Sequence, residues 1–139
     1  MSEATNEAFD AAIDRYKAGE SAANLIPVFK EICETTPKMG SAWTCLSWLY
    51  LLENESVKAV KSADRALKVD PYDPQARVNL AIALLEAKQK GVREHVEIAQ
   101  RMVKGSEEAK DQVESSFVDG LERKPDWESL IKVRDWIAA

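Results

Sequence analysis

WTCLSWLY, Trp43 to Tyr50, followed after a polar turn by KAVKSADRALKVDPYDP, Lys58 to Pro74, decides the fold. Trp43, Leu46 and Tyr50 stand at i, i+3 and i+7, so all three share one helical face. The turn ENES, Glu53 to Ser56, ends that helix. Ala59, Ala63, Ala66 and Leu67 then make a second stripe of mostly small residues, which Pro71 stops. Two helices joined by so short a turn form a helical hairpin. Small residues on the second helix let the Trp and Tyr of the first approach closely, as ridges enter grooves.

This unit resembles the tetratricopeptide repeat, a helix-turn-helix of about 34 residues written W-x2-L-G-x2-Y, A-x3-F, P. Trp43, Leu46, Tyr50, Ala59, Ala66 and Pro71 match, while Ser47 replaces the small Gly and Ala63 the aromatic. One period earlier, Phe9, Tyr16 and Pro37 take the places of Trp43, Tyr50 and Pro71, and Phe29 supplies the expected aromatic. One period later, Leu80, Ala81 and Leu84 align with Leu46, Ser47 and Tyr50, with Arg77 at the Trp position. A one-residue deletion in the KQKG turn then brings Val92, Val96, Ala99 and Val103 onto one face. The resemblance implies an all-α fold over residues 1–139 in one domain, a right-handed superhelix of antiparallel helical hairpins. Its repeats fall at about 6–39, 40–73 and 74–105, with a divergent repeat or cap at 106–139.

Local signals place the ends. Asn6 reads as the cap of the first helix, with Glu7 at the positive end of its dipole. Asn24 reads as the second cap, so that Pro27 falls in the first turn of a helix from Leu25 to Thr35, where the amides have no intrahelical partner. Gly105 can end the sixth helix, and Ser106 with Glu107 and Glu108 opens a seventh carrying the stripe Ala109, Val113, Phe117 and Leu121. After Pro125, Asp126 can cap an eighth helix whose apolar face holds Trp127, Leu130, Ile131 and Ile137. The exposed end of such an array needs a solvated cap.

With 31% charged and 45% hydrophobic residues the chain reads as an ordinary globular protein. Its net charge of −5 opposes a phosphate backbone, so nucleic acid is not the expected partner. The start shows no basic run before an apolar core, and no apolar run approaches the roughly 20 residues of a membrane helix. A cytoplasmic protein without membrane insertion is expected. Cys33 and Cys45 are too few for a disulfide framework and read as small packing residues.

No signal for catalysis, a metal or a cofactor emerges. His95 is the single histidine, the cysteines lack zinc spacing, and the glycines form no phosphate loop. The i, i+4 carboxylates Asp10 and Asp14 read as a solvated face, and His95 beside Glu94 as a surface or half-buried side chain.

The resemblance implies instead a protein–protein interaction scaffold, an adaptor, assembly factor or chaperone, binding a protein or peptide in a concave groove. Carried over by repeat position, that groove presents Asp10 and Asp14 from the first unit, Thr44, Trp48 and Leu51 from the second, and Val78 and Ile82 from the third. Acids at Asp10 and Asp14 would repel a C-terminal carboxylate, so a carboxylate clamp for chaperone tails is not expected. An apolar floor beside an acidic edge favours a basic amphipathic segment. The alternative is a structural or self-associating subunit, a homo-oligomer built on the C-terminal helices. In that case the segment bearing Trp127 and Trp136 folds over the groove and fills it internally.

Overall fold

The computed structural model describes residues 2–139, and its regular elements are eight helices: α1 Glu3–Lys17, α2 Ala22–Thr35, α3 Gly40–Leu52, α4 Ser56–Val69, α5 Pro74–Glu86, α6 Val92–Gly105, α7 Glu107–Arg123 and α8 Glu128–Ala138. Helices α1 to α6 pack as three successive hairpins, the second helix of each lying against the first helix of the next. Among the described residues no helix is long and apolar enough to cross a membrane.

The three hairpins turn in the same way. At the end of each first helix the chain passes through a left-handed residue, Gly19 (φ 96°), Asn54 (φ 60°) or Lys88 (φ 57°). The next amide then reaches back five residues: Glu20 N–H to Arg15 O, Glu55 N–H to Tyr50 O and Gln89 N–H to Leu84 O, at 3.1, 2.8 and 2.9 Å. These bonds satisfy carbonyls that the helix leaves orphaned, in the Schellman arrangement.

Repeat positions keep their contacts where their chemistry changes. Trp43 donates Nε1–H to Pro37 O at 2.8 Å. One period on, Arg77 donates from Nη2 to Pro71 O at 3.0 Å, so the arginine keeps the tryptophan's bond to the repeat's proline carbonyl. In the first unit Phe9 has no donor and instead packs edge-on against Phe29, centroids 5.9 Å apart.

Three of the expected caps, Asn6, Asn24 and Asp126, are corrected. α1 begins at Glu3, with Ser2 Oγ accepting from Thr5 N–H, so the helix extends back beyond Asn6. α2 begins at Ala22, capped by Ser21 through Asn24 N–H, and Pro27 lies in its second turn. Proline there removes the bond to the carbonyl of Ala23. Ala23 is exposed, so water can serve that carbonyl. Ser106 caps α7 as expected, through Ala109 N–H at 3.2 Å. α8 starts at Glu128, with Trp127 rather than Asp126 at its cap position.

Cys33 is buried, Cys45 half-buried, and both are free. Burial pushes both thiols up to about 12, which keeps them protonated and unreactive.

Candidate functional site

The concave side of the three hairpins is where the sequence places a partner. α3 and α5 supply its floor, and both are apolar around nearly their whole circumference, which in a helix means burial on every side. Thr44, Trp48, Leu51, Val78 and Ile82 are indeed all buried. Trp48 keeps 8% of its surface, and Leu51, Val78 and Ile82 keep none. Asp10 and Asp14 lie on the exposed side of α1, apart from this floor. The expected site therefore divides into a covered apolar part and an open acidic part.

The cover is the chain's own C-terminal pair. Trp127 stacks at a tilt on Trp48, centroids 5.2 Å apart, and donates Nε1–H to Glu86 at 2.6 Å. Gly120 of α7 fits between them. A Cβ at that position would stand 3.0 Å from Trp48 Cη2, 3.1 Å from Trp127 Cζ3 and 2.6 Å from Leu130 Cδ1. Only glycine lets α7 lie this close to the two indoles. Val113, Phe117, Leu130, Val133 and Ile137 complete the buried contribution of α7 and α8. α8 packs mainly on α5 and α6 and less on α7, so the last pair is not a fourth regular repeat.

Polar side chains fix the register of this cover. Trp48 donates Nε1–H to the Tyr16 hydroxyl at 2.9 Å, and that hydroxyl donates in turn to the Asp119 carboxylate. Burial, and then the bond to Asp119, push the Tyr16 phenol well above its ordinary value. Arg123 donates to Tyr16 O at 2.7 Å, lies 3.7 Å from the centre of the Tyr16 ring and pairs with Asp119 at 3.3 Å. Lys124 Nζ donates to Leu51 O at 3.1 Å and to Asn54 Oδ1 at 2.8 Å.

A second chain of bonds runs through the core. Asn79, fully buried, donates to Thr44 O and Ser47 Oγ and accepts from Gln75 Nε2, while the Ser116 hydroxyl of α7 donates to Gln75 Oε1 at 2.6 Å. Thr44 donates to Asp73 at 2.6 Å. Buried polar atoms linked in this way avoid the cost of desolvation without a partner.

Gly120, Asp119 and Tyr16 were not among the residues expected at the site. A glycine inside an otherwise regular apolar stripe was the available signal, since such a glycine marks a close approach. Tyr16 and Asp119 stand 103 residues apart, and nothing in the spacing of either points to the other. His95 is half-buried, and its Nδ1 accepts from Arg77 Nη1 at 3.1 Å, which assigns it a structural bond.

No family model and no curated protein matches the chain. Among solved structures it is similar to the Sgt2 TPR domain from Aspergillus fumigatus, with a TM-score of 0.64 and 19% identity over 83% of this chain and 82% of that one. It is also similar to SycD, a type III secretion translocator chaperone of Yersinia enterocolitica, in its alternative dimer, with a TM-score of 0.71 and 17% identity over 91% and 97%. At such identities the likeness is one of fold, and the fold is that of tetratricopeptide-repeat proteins.

Proposed function

We propose that this chain is an adaptor or chaperone-type scaffold that binds a protein segment on the open acidic part of its concave side, with the apolar floor kept as core. Both similar structures are of protein-interaction kinds, which supports the coarse reading, although a fold does not fix a function. The covered floor supports the finer one. Val113, Phe117, Trp127, Leu130, Val133 and Ile137 are buried by the C-terminal pair, and each contributes about 1.5–3 kcal/mol. A partner that displaced this pair would have to cover the same apolar side chains itself.

The observation that carries this reading is the exposure of Asp10 and Asp14, with Glu7, on α1. α7 adds Glu108, Asp111 and Glu122, all exposed. Carboxylates on both helices favour a segment rich in Lys or Arg and speed its encounter. The test compares what wild type and Asp10→Lys/Asp14→Lys capture from the source lysate at low and high salt. A partner held through a basic segment should be lost with the double variant and weakened by salt. An unchanged set would contradict the use of this edge. Trp48→Glu is no substitute, because it places an unpaired charge in the core.

A further inference from the structure

We propose that two copies of this chain associate through the end of the array formed by α6, α7 and α8, the ridge of α8 in each copy entering a trough of the other. The last turns of α8 separate two open troughs. Arg134, Asp135 and Ala138 border one of about 780 Å³, whose base includes Val103, Phe117 and Leu121. Trp136 and Ala139 border the other, of about 460 Å³, against Leu85, Val92 and Val96. A ridge and a trough on one face are what a two-fold contact needs, because each copy must offer both halves of the fit.

Two of the large exposed apolar groups, Trp136 and Val118, lie on this face, whereas Tyr72, Val57 and Val69 line neither trough. Trp136 is 43% exposed and borders the smaller trough, its carbonyl held by Gln100 Nε2–H at 2.6 Å. Val118, 61% exposed, borders the larger one. Large aromatic side chains fixed on a rigid element are the usual anchors of an interface.

Charge selects the occupant. The larger trough is rimmed by Lys104, Lys110 and Arg134 and by Glu107, Glu114 and Asp135, opposite in sign and equal in number. The whole chain carries −5, so most of its surface repels a second copy, whereas this rim does not. A balanced rim gives no net attraction to a strongly basic or acidic segment. It can pair with its own image, acid to base. None of the α1 carboxylates takes part, so this contact and the adaptor reading can fail separately.

Sedimentation equilibrium or light scattering across the micromolar range tests the proposal on the full chain. Wild type should shift from monomer to dimer with concentration. Trp136→Asp and Val118→Glu, both at exposed positions, should each weaken the dimer about tenfold or more while keeping the wild-type circular dichroism. Asp10→Lys/Asp14→Lys should leave it unchanged. A wild type that stays monomeric throughout, or a dimer indifferent to both Trp136→Asp and Val118→Glu, would overturn the proposal.

Discussion

Gly120 inverts the usual sign of a helical glycine. Replacing glycine by alanine inside a helix normally stabilises by about 1 kcal/mol. Here the added methyl meets Trp48, Trp127 and Leu130, all of which are buried. Gly120→Ala should therefore destabilise by about 1–3 kcal/mol, as overpacking does, and chemical denaturation would measure it. The pair Arg77 and His95 predicts a pH dependence. Arg77 is always a donor, so His95 must be neutral to accept. Burial, and then the charge of Arg77, lower the His95 pKa below its ordinary 6.5, while Glu94 and Asp64 oppose that shift. The unfolded chain thus binds the proton more readily than the folded one. This contribution to stability is complete above pH 6.5 and is lost as the pH falls through the window below it. Melting curves of wild type and His95→Gln, which keeps an acceptor without titrating there, should diverge as the medium becomes acid. Parallel curves would contradict the assignment. Arg77 also marks what the repeat pattern conveys: it looks like a departure at a tryptophan position, yet it preserves the bond to the proline carbonyl.

The hairpin ends show why helices were legible from sequence and their caps less so. Apolar periodicity placed each helix, because burial dominates its energy. A cap contributes only about 1 kcal/mol, so where Ser2 and Asn6, or Ser21 and Asn24, compete over one turn, local sequence does not choose between them. The structure selects the earlier residue in both cases, which lengthens each helix. The left-handed positions carry a further prediction. Lys88 adopts φ 57° at a site where the first repeat uses Gly19, and its side chain is exposed. A β-carbon in that region costs about 1–2 kcal/mol, against the roughly 0.5–1 kcal/mol of extra chain entropy that glycine loses. Lys88→Gly should raise the stability by about 0.5–1 kcal/mol, read as a higher denaturation midpoint at unchanged slope.

At the scale of the whole molecule, the sequence conveyed the array as its first reading and the C-terminal cover as the alternative; Trp127 takes that place on Trp48, while Trp136 stays exposed. Trp48, Leu51, Val78 and Ile82 are assigned to the concave side by repeat position, and whether that side is open depends on contacts across the chain. A signal was nevertheless present. WTCLSWLY and its continuation are apolar all round, and a helix open to a polar solvent on one face does not have that composition. The same reasoning applies to VNLAIALL in α5. What the pattern could not supply was the pairing of Tyr16 with Asp119, since no repeat relates the two. The central claim is that α7 and α8 are part of the core and not a strap resting on a groove. Native-state hydrogen exchange tests it most directly. The amides of α7 from Val113 to Arg123 should open with the same free energy as those of α3 and α5, in one cooperative unit. If α7 exchanges orders of magnitude faster while α3 stays protected, the groove opens by itself, and its floor is available to a partner after all.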